Sequence, residues 1–154
     1  MSLKNWENNG WLRKHKTSVS EISDLFQIVE RDLKAAQTKG LSADWKFGIA
    51  YNAALKLCTI LLNAEGYRPE NNNAHFRTLQ ALCEILGSGH KLDANYLNTC
   101  RSKRNAVEYD RVNGATEEDA HELLEYGHEL KRDVLAYLAE KHPGLLKTHS
   151  SPET

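Results

Sequence analysis

The chain of 154 residues lacks the marks of several protein classes. It has 3 cysteines, Cys58, Cys83 and Cys100, and no C-x-x-C pair among them. Neither a disulfide framework nor a cysteine zinc site is expected, and reduced core thiols of a cytoplasmic protein fit better. The chain lacks an excess of either charge. Against 20 Lys and Arg stand 21 Asp and Glu, for a formal net charge of −1. No global field therefore draws it to nucleic acid, and any anion must be met by a local patch. It also lacks a long apolar run: the best, Leu55 to Ala64, is broken by Lys56, Thr59 and Asn63, so no membrane association is expected. Residues Met1 to Trp6 lack the apolar centre of a signal peptide. The 9 glycines form no phosphate loop, and the 7 histidines form no H-E-x-x-H or H-x-x-x-H pair. No metal and no cofactor is expected.

What the chain does have is helical periodicity. Ser18 with Glu21 three residues on reads as a capping box, followed by Ile22, Leu25, Phe26, Val29 and Leu33 at helical spacing. Ser42 caps a second helix, about Ala43 to Ala64, whose apolar residues cover more than half its circumference; it should be the central helix. Ala74 to Leu86 reads as a third helix, and Asp93 opens a fourth. Thr116 with Asp119 caps a fifth, which has an apolar face of Leu123, Leu130, Val134, Tyr137 and Leu138 and an acidic outer face. No strand pattern competes. The expected fold is all-α, an antiparallel bundle of four to five helices. Residues 1–17 read as a flexible N-terminal arm, 18–142 as one helical domain and 143–154 as a disordered tail. The arm carries Trp6 and Trp11, which offer docking to the body or to a second subunit. Its Arg13, Lys14, His15 and Lys16 offer contact with a phosphate backbone, although a solvated tail is the simpler expectation.

The chemistry concentrates in Arg101-Ser102-Lys103-Arg104-Asn105-Ala106-Val107-Glu108-Tyr109-Asp110. At about 100° per residue, Leu97, Cys100, Arg104 and Val107 share the inward face of the fourth helix. A guanidinium does not shed its charge, so one set in an apolar stripe needs a carboxylate, a carbonyl cluster or an anionic ligand. Arg101, Asn105 and Tyr109 form a neighbouring column. Two readings stand at this point: an ion pair that fixes helix register, or an edge of donors that holds an anion.

The stretch, taken with Asp44-Trp45, Ala50-Tyr51-Asn52-Ala53-Ala54-Leu55, Gly66-Tyr67-Arg68-Pro69 and His75, resembles a HEPN domain from about Ser18 to Glu140. Active members of that family carry R-x4–6-H, whose arginine and histidine cut RNA without metal in a cleft between two facing subunits. Here Arg104-Asn105 matches the start of the motif, but Tyr109 stands where the histidine would fall. Histidine titrates near neutral pH, whereas a phenol has an unperturbed pKa of about 10 and is a poor base unless cations lower it. Tyr109 still offers a hydrogen bond or a stacking face, and Arg104 its fork. His75 and His128 are outside candidates for a substitute imidazole; His121 shares a helix face with His128.

The resemblance implies a module that binds RNA or a nucleotide through Arg101, Arg104, Asn105, Tyr109 and Asp110, with ribonuclease activity impaired or absent. Its setting would be prokaryotic toxin–antitoxin, defence or stress biology, as a homodimer and with a nucleotidyltransferase-type partner. The alternatives are a metal-independent endoribonuclease whose catalytic residues are Arg104 and Tyr109, and a structural homodimer or partner-binding protein without a ligand. In the last, Arg104 pairs with Asp110 of a facing subunit or with Asp44.

Overall fold

An α-helix that is apolar over more than half its circumference has to be packed on several sides, and the segment Ala43–Ala64 is such a helix (α3). Ser42 caps it through its side chain, which accepts the Trp45 N–H, and Asp44 places a negative charge in the first turn. Thirteen of its 22 residues are buried, among them Ala50, Ala53 and Ala54, whose small side chains let neighbouring helices approach closely. Around it pack α2 (Val19–Ala35), α4 (Ala74–Leu86), α5 (Lys91–Tyr109) and α6 (Glu117–Lys141). Together they enclose one main core, in which Ile22, Val29, Phe47, Leu57, Leu61, Leu79, Leu97, Leu123 and Leu130 are buried. The structure is a computed structural model describing residues 2–71, 73–109 and 114–146, without the side chains of 107–109. Among these residues it is mostly helical, with six α-helices and one two-stranded sheet.

The sheet and the first helix correct the expectation of a flexible arm over residues 1–17. Leu3–Asn8 forms a short helix (α1) capped by Ser2. Leu12–Lys14 (β1) then pairs antiparallel with Tyr67–Pro69 (β2), setting Leu12 opposite Pro69, Arg13 opposite Arg68 and Lys14 opposite Tyr67. The pair is extended by bonds from the Glu70 N–H to the Trp11 carbonyl at 3.0 Å and from the His15 N–H to the Gly66 carbonyl at 2.8 Å. Gly66 makes this possible: at φ +91° it turns the chain out of α3 through the left-handed region. Leu12 is buried in a second small cluster with Leu62 and Ala81, ringed by Leu3, Trp6, Tyr67 and Ile85. The arm is fastened by apolar burial as well as by the strand bonds.

Three further expectations change. Ser18 does cap α2 by accepting the Glu21 N–H at 3.1 Å, but the Glu21 carboxylate meets His15 at 2.8 Å and Thr17 at 2.5 Å rather than closing a box. The disordered tail was placed from residue 143, yet Pro143–Leu145 forms a 3-10 turn, and Leu145 and Leu146 pack on the main core; residues 147–154 lie outside the described residues. Finally, α3 as a whole is long and apolar enough to cross a membrane by length and composition, with 67% of its apolar window buried inside the protein. At α6, by contrast, the expected cap forms in full: Thr116 accepts the Asp119 N–H at 2.9 Å, and Asp119 accepts the Thr116 N–H at 2.9 Å.

Candidate anion site

Arg101 and Arg104 lie one turn apart on α5, and both are half-buried. Their helix is anchored by Ala94, Leu97 and Cys100, all buried, and this places the following turn against α3 and α4. The Arg104 guanidinium carbon stands 5.7 Å from the centre of the Tyr51 ring on α3. That of Arg101 stands 5.8 Å from the Phe76 ring on α4, while its Nε donates to Asn98 Oδ1 at 2.9 Å. Both guanidinium groups therefore rest near aromatic rings at the cation–π range.

Tyr51 is 1% exposed, and its hydroxyl has no hydrogen-bond partner among the described residues. Burial pushes this phenol up to about 12, while the charges of Arg101 and Arg104 pull the other way. The hydroxyl thus stays protonated and remains a donor. His75, in the first turn of α4, completes the group. The residue is exposed, yet partial desolvation of its ring and then the charges of Arg104, Lys56 and Arg101 hold its imidazole below the usual histidine value. At neutral pH it is neutral. Asn73, before this helix, has φ +56° and makes no side-chain cap.

The site is therefore three cations, one neutral imidazole and one buried phenol, brought together from α3, α4 and α5. Such a group suits an anion that is shared among several donors, as phosphate is. Of the residues singled out beforehand, Arg101 and Arg104 share this site; Asn105 is exposed on the same helix. The backbone of Tyr109 closes α5, but its side chain, and Asp110 entirely, lie outside the described residues. Asp44, considered as a partner for Arg104, accepts the Ala115 N–H at 3.0 Å and so ties the start of α3 to the approach of α6. His128 and His121 lie on α6, and no hydrogen bond or ion pair among the described residues joins either to the arginines. Lys56 was met in the sequence only as a break in an apolar run, and Tyr51 only as part of a resemblance. Their meeting with Arg104 depends on helix packing that no local spacing announces.

Charge is segregated across the molecule. A cleft of about 290 Å³ between α5 and α6 is lined by Tyr96, Tyr126, Glu122, Glu125 and Glu129, a setting that disfavours an anion. Comparison with family models, with curated proteins and with solved structures gives no match.

Proposed function

We propose that the chain is a HEPN-like module that binds the phosphate of an RNA or nucleotide at Arg101 and Arg104. The observation that carries this reading is the Arg101 and Arg104 pair one turn apart on α5, seated beside the Phe76 and Tyr51 rings, with His75 and Lys56 within electrostatic reach. An anion seated at this edge meets charge-assisted donors from neighbouring turns of one helix, which hold it more strongly than neutral donors do. Asn105, Tyr109 and Asp110 belong to the same reading through the resemblance, as do a cytoplasmic homodimer, a nucleotidyltransferase-type partner and a toxin–antitoxin, defence or stress setting. Binding without robust cleavage fits the loss of the motif histidine to Tyr109. The test is calorimetric titration with inorganic phosphate and with uridine 3′-monophosphate. Wild-type protein binds both, and Arg104→Ala and Arg101→Ala each weaken binding about 10-fold or more, as expected for a charge-assisted hydrogen bond. Equal affinity in all three proteins, with intact melting, overturns it.

A second reading, cleavage of RNA, is favoured by His75. A neutral imidazole beside the arginines accepts the proton of a ribose 2′-hydroxyl as that oxygen attacks the adjacent phosphorus. The bond from phosphorus to the 5′-oxygen breaks, leaving a 2′,3′-cyclic phosphate, and the departing 5′-oxygen takes a proton from water. Here the imidazole comes from α4 rather than from the motif on α5, and Tyr109 is its alternative as base. Incubation with single-stranded RNA decides between the two readings. Cyclic-phosphate ends that disappear in His75→Gln support cleavage through His75; ends that disappear only in Tyr109→Phe assign the base to the motif. Intact RNA leaves binding alone.

A further inference from the structure

The cationic and aromatic side chains do not stop at the arginine pair. On α4 the Arg77 guanidinium carbon lies 5.5 Å from the Phe76 ring, the ring that Arg101 approaches from the other helix at 5.8 Å. The same Arg77 lies over the Trp11 indole at 3.8 Å from its centre. An alternating strip results, cation, ring, cation, ring, from α5 across α4 to the amino-terminal strand pair. Trp11, at its far end, is 38% exposed. Beyond it Arg13 and Arg68 sit directly opposite one another on β1 and β2, both exposed.

Resting on the phosphate-site reading above, we propose that this strip is a second subsite and that the ligand is a single-stranded polynucleotide rather than a mononucleotide. One phosphate sits at the arginine pair, and the neighbouring bases stack along Phe76, Arg77 and Trp11 towards the basic strands. Each base offers a π-face whatever its identity, and both indole and guanidinium planes accept it. A duplex hides those faces, and a mononucleotide covers one link of the strip. The contact of Arg77 with Trp11 also fastens the strand pair to α4. A fastening alone does not need an exposed indole, nor an exposed basic pair set directly opposite across the strands beyond it. The chain has a net charge of −1, so this local excess is not the by-product of a basic composition.

The experiment is fluorescence anisotropy with a labelled oligouridylate of about ten nucleotides and its deoxy counterpart, with uridine 3′-monophosphate titrated separately. The strip predicts that Trp11→Ala weakens oligomer binding about 5- to 100-fold, the loss of one stacked base. Arg77→Gln, which leaves the indole in place, weakens it in the same direction, and melting curves confirm that each variant is folded. The surface double variant Arg13→Gln/Arg68→Gln lowers the salt dependence of log K by about 1.4, the share of two phosphate contacts on a single strand. None of these changes mononucleotide affinity. If the folded variants bind the oligomer like wild type while Arg104→Ala does not, the strip is unused and the phosphate site stands alone. If wild type binds neither oligomer nor mononucleotide, both readings fall. Equal binding to vesicles containing phosphatidylserine, with the same dependence on Arg13 and Arg68, overturns the strip in favour of a general anionic surface.

Discussion

The Tyr51 hydroxyl is a cost to stability that binding does not use, and Tyr51→Phe separates the two. The hydroxyl is buried without a hydrogen-bond partner among the described residues. A buried polar group left in that state costs about 1–3 kcal/mol. The phenylalanine ring keeps the packing on α3 and the contact with Arg104, so only the oxygen is lost. The expected gain is about 1 kcal/mol, the low end of the range, because the two guanidinium charges already favour the oxygen's partial negative charge. For a chain of this size that raises Tm by about 2–4 °C. Affinity for inorganic phosphate stays as it was, because the enclosed hydroxyl does not reach a bound anion. Thermal melts followed by circular dichroism, with and without phosphate, read both effects in one series. A variant that melts several degrees lower in phosphate-free buffer refutes the reasoning, since it shows that the hydroxyl stabilises the free protein.

The remaining predictions concern pH, the strand pair and a helix end. His75 has its folded value below 6.5, so below that pH the unfolded chain takes up the proton first, and stability falls as the solution is acidified; His75→Gln flattens that part of the stability–pH curve. A bound anion raises the same group, so the complex holds more protons, and affinity for sulfate, which keeps its charge throughout, should rise from pH 7.5 towards 5.5, with proton uptake visible as a buffer-dependent heat in calorimetry. Leu12→Ala should cost about 2–4 kcal/mol in urea unfolding, because Leu12 is 2% exposed and packs on Leu62 and Ala81; a loss below about 1 kcal/mol would mean the arm contributes little to the fold. Thr116→Ala removes the acceptor for the Asp119 N–H and should lower Tm by about 2–4 °C, a loss of about 1 kcal/mol.

Much of the helical frame was legible. The bounds of α3 follow from Ser42 and from Gly66, those of α4 from the polar loop up to Asn73 and from Gly87, and the structure starts and stops these helices at the expected residues. The strand pair was not legible. Its strands hold three residues each, Leu12–Lys14 and Tyr67–Pro69, too few to show an alternation, and their partnership spans two helices of intervening chain. Local pattern carries no information on such a pairing. Arg13, Lys14 and Lys16 give the arm a solvated pattern and are exposed, while its buried residue, Leu12, stands alone among them. The site divides in the same way. Arg104 drew notice because a charge in an apolar stripe is costly, a property of α5 by itself. Lys56, His75 and Tyr51 belong with it only after α3 and α4 have packed against α5, and that depends on crossing geometry.

The brevity of that strand pair has a dynamic consequence. Three residues of β1 and a small cluster centred on Leu12 hold the amino-terminal segment, whereas the helices share the main core, so the segment should open while those helices stay folded. Amide protons of Arg13 and Lys14 should exchange with solvent sooner than those of Leu57 and Leu61, and a protease should nick between α1 and α2 before it reaches any helix of the core. Trp11 departs with the segment. One end of the surface is thus mounted on a detachable latch, which a long ligand would hold shut and a short one would leave to open and close.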